Sequence, residues 1–219
     1  MISVVIPTVN SERLLPRCFD SLITAAVRGV VRDVIVCDAG STDATLAIAD
    51  AAGAHIVHAR KGRGVQLAQG ASAAKSDWLL FLHPETALEP GWEMEAESFI
   101  SQAAMERPRA ATFRFALEDF GGEVRRAELK ANLRTSLFAL PYGDQGLLIP
   151  KRLYQKIGGY RALADMEDAD LVRRIGRRRL VGLRARAVNI ARPPASAWRG
   201  LALMLLHAIR VPSGVLTRL

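Results

Sequence analysis

Apolar residues in the first eighty positions follow two rhythms. Ile2 to Pro7 and Val30 to Cys37 are short, mainly apolar runs rich in β-branched residues, ended by Pro7 and by Asp38 and Gly40. Runs of this kind mark strands buried on both faces of a parallel sheet. Between them, Ser11 to Val27 spaces Leu14, Leu15, Cys18, Leu22 and Ile23 at helical intervals, with Ser11 placed as N-cap. This completes a first strand–helix–strand unit. A second helix is predicted from Ser41 or Thr42 to Ala52, then a strand from Ala54 to Val57, an alanine-rich helix from Gly64 to Ala74, and an almost wholly apolar strand from Trp78 to Leu82. The alternation predicts an α/β fold whose mostly parallel central sheet is flanked by helices.

The second half is less regular. Pro90 opens a helix running towards Met105, Ala110 to Leu117 reads as a strand with Phe113 and Phe115 on one face, and Glu123 to Phe138 reads as a helix. Tyr142-Gly143-Asp144-Gln145 then leads into the apolar run Gly146 to Ile149. Lys151 to Ile157, Gly158-Gly159-Tyr160 and an acidic helix start at Glu167-Asp168 follow. The sequence has no internal repeat or low-complexity linker, and Pro193-Pro194 is its one clear break. Residues 1–192 are therefore expected to form a single domain, and residues 193–219 a basic and apolar C-terminal helical extension. The run Trp198 to Val211 is shorter than the roughly 20 residues needed to cross a bilayer. A membrane interface, packing on the body and a homodimer contact all fit its pattern.

Composition narrows the class. The chain has 219 residues, half of them hydrophobic, which suits one domain with an extension and argues against disorder. Its two cysteines, Cys18 and Cys37, fall in a predicted helix and a predicted strand, so a structural disulfide is not expected and a reducing compartment fits. The start lacks a basic leader region and reads as a strand, which gives the expectation of a cytoplasmic protein, peripheral at the inner face of the membrane if the tail binds lipid. The net charge of +8 is concentrated: Leu171 to Leu219 holds eleven arginines and no acidic residue, leaving nineteen basic against twenty-two acidic residues elsewhere. Such a tail suits an anionic partner, whether an anionic membrane surface, a phosphorylated substrate or nucleic acid, and also suits a solvated arginine-rich face. Nucleic acid is disfavoured, because the tail lacks interleaved aromatics and matches no recognition motif.

Four segments carry the candidate chemistry: Val5-Ile6-Pro7-Thr8-Val9-Asn10, Val36-Cys37-Asp38-Ala39-Gly40-Ser41-Thr42-Asp43, Phe81-Leu82-His83-Pro84-Glu85-Thr86 and Met166-Glu167-Asp168. The first three put polar residues straight after an apolar run, where an open α/β sheet places its ligands. Asp43 reads as a helix cap. In Lys61-Gly62-Arg63-Gly64, basic side chains and backbone N–H groups suit a diphosphate, Arg63 better than Lys61. Glu167 and Asp168 also fit the first turn of a helix through its dipole alone.

In this order the segments resemble a family 2 glycosyltransferase of the GT-A (nucleotide-diphospho-sugar transferase) fold, over about residues 2 to 179. They are most similar to a small bacterial branch whose acidic motif follows Phe-Leu-His, here Phe81-Leu82-His83. The resemblance implies an enzyme that moves a sugar from a nucleotide-sugar donor to an acceptor hydroxyl with inversion. It assigns the nucleotide to Pro7, Thr8, Asn10, Glu12, Asp38 and Arg63. It also implies a divalent metal, Mn or Mg, bridging the phosphates at the acidic motif. There His83 replaces the first aspartate of Asp-x-Asp and Glu85 the last; Glu85 suits a hard cation and His83 favours manganese over magnesium. Asp168 matches the general base and Glu167 an orienting carboxylate, while Asp144 and Gln145 match a segment near donor sugar or acceptor. The acceptor is open among lipid, carbohydrate and small molecule. Two other readings stay open. A noncatalytic, degenerate sugar-nucleotide binder fits the altered His83/Glu85 motif and Ser11 and Ala68, where the resembling group commonly has asparagine or acidic residues. A nucleotidyltransferase would carry a glycine-rich basic loop after the first strand, where this chain has Thr8-Val9-Asn10-Ser11-Glu12.

Overall fold

The computed structural model describes residues 1–105, 108–118, 145–163 and 165–191. Its strands are β1 (Ile2–Thr8), β2 (Val31–Asp38), β3 (His55–His58), β4 (Trp78–Phe81), β5 (Thr86–Leu88), β6 (Ala110–Leu117), β7 (Leu147–Pro150) and β8 (Leu180–Asn189). The helices are α1 (Leu15–Val27), α2 (Thr45–Ala51), α3 (Arg63–Ala73), α4 (Trp92–Met105), α5 (Lys151–Lys156) and α6 (Glu167–Ile175). All eight strands form one sheet in the order β3-β2-β1-β4-β7-β6-β8-β5. β3, β2, β1 and β4 are mutually parallel, β7 runs against β4 and β6, β8 lies parallel to β6, and β5 closes the edge antiparallel to β8. This is the mostly parallel α/β sheet that the sequence predicts.

The order also sets the site. The chain steps outward from β1 to β2 to β3, and α3 then returns it to β4 on the other side of β1. The connections leaving β1 and β4 diverge, which opens a crevice at their carboxyl ends, beside Thr8 and Phe81.

Alternate side chains of the central strands feed two cores. Ile2, Val4, Ile6, Leu80 and Leu148 pack with Leu15, Cys18 and Leu22 of α1 and Trp92, Ala96 and Phe99 of α4. Val5, Leu79, Phe81, Leu147 and Ile149 pack with Leu67 and Ala71 of α3, Leu153 and Tyr154 of α5, and Leu171 and Ile175 of α6. Successive strand side chains point to opposite faces, so unbroken apolar runs are what a sheet covered on both sides requires. Each such Leu, Ile or Val contributes about 1.5–3 kcal/mol on burial.

Several boundaries differ from expectation. Ser11 is not the N-cap of α1: the helix starts at Leu15, with Pro16 in its first turn, and the Ser11 carbonyl instead accepts the Leu14 and Leu15 N–H groups. Proline lacks an N–H and is tolerated best in that first turn. α2 starts at Thr45 rather than at Ser41 or Thr42, and its N-cap position is Ala44, not Asp43; Asp43 precedes it and accepts the Thr45 N–H on Oδ1 at 3.0 Å. Pro90 lies just before its helix, which starts at Trp92. β5 and β8 were not expected. Opposite Thr112 to Arg114 the β6–β8 register slips, and the Glu95 carboxylate accepts the Arg184 and Ala185 N–H groups at 2.8 and 2.7 Å. The helix expected over Glu123 to Phe138, Asp144 and the extension 193–219 lie outside the described residues. Among the described residues, no helix is long and apolar enough to cross a membrane.

Candidate active site

A cleft of about 430 Å³ opens at the β1/β4 switch point. Pro7, Thr8 and Asn10 line one wall, Arg63 and Gln66 come from the start of α3, His83 and Glu85 from beyond β4, and Asp165 and Glu167 from the approach to α6. Three of the sequence segments, some 160 residues apart at their extremes, thus meet here.

The first wall is built from two loops stapled together. Asn10, held at φ 49°, accepts the Thr42 N–H on its Oδ1 at 2.8 Å, and its own N–H donates to Ser41 Oγ at 2.8 Å. Ser11 N–H donates to Thr45 Oγ1 at 2.7 Å, and Glu12 Oε2 accepts the Ala44 N–H at 3.0 Å. Asp38 lies below the loops rather than on the cleft lining, 1% exposed. Its Oδ1 accepts the Thr8 hydroxyl at 2.9 Å and the Ser41 hydroxyl, and its Oδ2 accepts the N–H groups of Gly40 and Ser41 at 2.9 and 2.8 Å. Burial works against its ionisation, but the Ser41 and Thr8 hydroxyls and the two N–H groups outweigh it and hold the carboxyl below its ordinary range. Glu12, like Asp38, holds loops together and is not among the lining residues.

Gln66 completes this wall from α3. Its Nε2 donates to the carbonyls of Thr8 at 2.9 Å and Cys37 at 2.8 Å, tying the ends of β1 and β2. α3 approaches the opposite wall just as closely: a Cβ on Gly64 would lie 2.1 Å from the Arg161 carbonyl oxygen. That contact, rather than an exposed N–H, explains Gly64 in the Lys61–Gly64 segment. It also brings Arg63 Nη1 to 3.5 Å from Glu167 Oε1.

The opposite wall holds the ionisable cluster. His83 is 4% exposed; its Nδ1 lies 3.4 Å from Glu85 Oε1, and its Nε2 lies 3.8 Å from Asp168 Oδ2 with no hydrogen-bond partner. Burial disfavours the imidazolium, yet the Glu85 and Asp168 carboxylates prevail and raise the His83 pKa. Burial likewise opposes ionisation of Glu85, and the His83 imidazole overcomes it and holds the carboxyl at about 2. Glu167, buried and beside the Asp168 charge, is pushed up. Asp168 Oδ1 accepts the Tyr160 hydroxyl at 2.7 Å. Met166, at φ 63°, turns the chain sharply into α6 and aims this acidic pair inward.

Among the described residues no three His, Cys, Asp or Glu side chains form a complete metal cage. The donors at the cleft nevertheless suit a cation shared with phosphate oxygens: Glu85 is held ionised, and His83 carries an orphaned buried Nε2. Gln145 is buried and is not among the described lining residues. Gln66, Asp165 and Tyr160 went unassigned from sequence. A polar residue on the buried stripe of α3, next to Leu67 and in line with Gly70, is the signal that marks Gln66.

Residues 3–99 match the profile described as Glycosyl transferase family 2. A PGL/p-HBAD biosynthesis glycosyltransferase of Mycobacterium bovis (strain BCG / Pasteur 1173P2) is 35% identical over 95 residues, covering 40% of this chain and 36% of its own. The matched stretch thus spans about a third of the length of that curated relative. Among solved structures, glucosyl-3-phosphoglycerate synthase from Mycobacterium tuberculosis, in complex with Mn2+, UDP and glucosyl-3-phosphoglycerate, superposes with a TM-score of 0.67 at 22% identity, over 97% of this chain and 81% of that one. TarS 1-349 from S. aureus gives 0.69 at 16% identity, over 98% and 68%. Residues 3–99 thus match glycosyl transferase family 2 in sequence, and the sheet is that of the GT-A fold.

Proposed function

We propose that the protein transfers a sugar from a nucleotide-sugar to an acceptor hydroxyl with inversion at the anomeric carbon. The observation that carries this reading is the convergence at the switch point of the His83/Glu85 motif and the Glu167/Asp168 pair, with 3.8 Å between His83 Nε2 and Asp168 Oδ2. The stapled loops of Pro7, Thr8, Asn10 and Glu12, underpinned by Asp38, form the nucleotide wall. Arg63 approaches the diphosphate. Glu85 and His83 hold a divalent cation, Mn2+ suiting the imidazole better than Mg2+; when bound, it supplies positive charge to the departing nucleoside diphosphate. Asp168 takes the proton of the acceptor hydroxyl as that oxygen attacks, while the bond from the anomeric carbon to the phosphate oxygen breaks. Glu167, paired with Arg63, orients hydroxyls of sugar or acceptor.

The solved GT-A neighbour with Mn2+ and UDP supports a nucleotide donor and a metal for this chain by analogy. A binder without turnover is the competing reading, favoured by His83 standing in place of the first aspartate of the acidic motif. Thermal stabilisation by nucleoside diphosphates and nucleotide-sugars, with Mn2+, Mg2+ or chelator, tests donor and metal together. A metal-linked shift with one nucleotide is expected, and no shift under any condition would overturn the proposal. Asp168→Asn is then expected to abolish transfer while donor binding persists; persisting transfer would remove Asp168 as base, and binding without transfer by the unaltered protein would favour the binder.

A further inference from the structure

The segment Gly158-Gly159-Tyr160 has no role in the scheme above, yet it ends on the proposed base. α5 closes with Gly158 at φ 83° and Gly159 at φ 58°, a reversal that returns the chain over its own helix. A Cβ on Gly159 would meet the Tyr154 ring at 2.8 to 2.9 Å, so no larger residue fits the turn unchanged. The reversal lets the Tyr160 N–H donate to the Tyr154 hydroxyl at 2.9 Å. Both rings then pack on Phe81, Tyr160 edge-on at 4.9 Å between centroids and Tyr154 at 5.3 Å. Phe81 is the last residue of β4, two positions before His83. Tyr160 is therefore seated on the strand that presents the His83/Glu85 motif.

From that seat its hydroxyl donates to Asp168 Oδ1 at 2.7 Å. Burial and the neighbouring carboxylates push the Tyr160 phenol well above its ordinary range, so it remains a donor throughout the physiological range. The other oxygen, Oδ2, is the one that faces His83 Nε2.

We infer that Tyr160 is a positioning residue for Asp168. Resting on the reading of Asp168 as base, the inference divides the carboxylate: Oδ1 is held by the phenol, and Oδ2 is the atom that receives the acceptor's proton. The hydrogen bond fixes the rotation of the carboxylate about its Cβ–Cγ bond. Without it, the carboxylate can turn away from the attacking oxygen, and misalignment of a base costs rate rather than donor affinity.

The test compares Tyr160→Phe, Asp168→Asn and the double variant with the unaltered protein, each checked by its thermal midpoint. In proton NMR, a low-field hydroxyl resonance from Tyr160 is expected in the unaltered protein; it should vanish in Tyr160→Phe and move upfield in Asp168→Asn, whose neutral amide oxygen accepts more weakly, and an unshifted resonance in Asp168→Asn would overturn the assignment of the bond. Release of nucleoside diphosphate from UDP-, GDP-, ADP- and dTDP-sugars with Mn2+, water serving as acceptor, gives the second readout. Tyr160→Phe is expected to lower kcat about tenfold or more with KM for the donor nearly unchanged, and the double variant to be no slower than Asp168→Asn. An unchanged kcat in Tyr160→Phe beside an inactive Asp168→Asn would overturn the inference and leave the base standing. Full activity in Asp168→Asn would remove the base itself, and no release by the unaltered protein would count against both.

Discussion

Asp38 shows how a residue can belong to a site without facing it. Its four hydrogen bonds come from the chain itself, and they hold the loops that line the cleft. Because folding depresses its pKa, the stability it contributes is fully present above the unfolded value near 4 and is lost as pH falls through the lower folded value. Asp38→Asn sets an NH₂ against N–H and O–H donors and is expected to cost about 1–3 kcal/mol at neutral pH. Urea melts at several pH values check this: below pH 4 the gap between variant and parent should narrow, and a constant gap would show that the carboxylate's charge is not what matters. At this scale the sequence was legible where a polar residue on the cleft followed an apolar run, as at Thr8, His83 and Glu85; Asp38 follows such a run too, yet it braces the loops instead of lining the cleft. Tyr160 was not, since an aromatic after two glycines looks the same whether its hydroxyl meets water or a carboxylate 8 residues away.

Among the elements, α3 and α6 carry the facing sides of the cleft, and Gly64 of α3 meets both Glu167 of α6 and the Arg161 carbonyl in the segment before it. Gly64→Ala would drive a methyl into a carbonyl oxygen, and the backbone must move apart, at a cost of about 1–3 kcal/mol. Arg63 and Glu167 separate with it, so melting and donor affinity are expected to fall together. A lowered midpoint with unchanged donor affinity would show that the cleft tolerates the shift. On the outer side of α6, Arg174 donates through Nε and Nη2 to Asp170 Oδ2 at 2.9 and 2.6 Å and through Nη1 to the Ile157 carbonyl at 2.6 Å. Asp170 is 1% exposed, so Arg174→Ala abandons a buried carboxylate and is expected to cost about 3 kcal/mol, read as a lower thermal midpoint; Arg161 and Arg173, at 3.6 and 3.8 Å, limit the loss. Helical periodicity and buried runs located α1 to α4 and β1 to β4 to within a few residues. β8 escaped because only Leu183 and Ala187 are buried, four apart, and its arginines hide any alternation. β5, three residues long, exists only because β8 lies beside it.

Taken whole, the sheet has two halves, β3-β2-β1-β4 and β7-β6-β8-β5, joined by one antiparallel ladder from Trp78↔Pro150 to Phe81↔Leu147. Leu80 and Leu148 face each other there, both fully buried. Leu80→Ala should cost about 2–5 kcal/mol by opening a cavity at this seam. With the seam intact, tryptophan fluorescence and far-ultraviolet circular dichroism should report one coincident unfolding transition. Separate transitions in Leu80→Ala would mean that the halves can fold apart, and a persisting single transition that they cannot. This arrangement of halves is the part least readable from sequence. Local patterns predict strands, but which strand lies beside which depends on α3 returning across β1, and that return also creates the crevice.

Strand ends expose carbonyl oxygens, and two of them, from Thr8 and Cys37, lie beside the cleft where a diphosphate would approach. Gln66 turns both its N–H bonds onto these oxygens. A wall that would otherwise repel an anion is thereby screened by a neutral amide that adds no charge of its own. Tolerance of the proposed diphosphate in this cleft would therefore rest partly on a side chain that need never touch it.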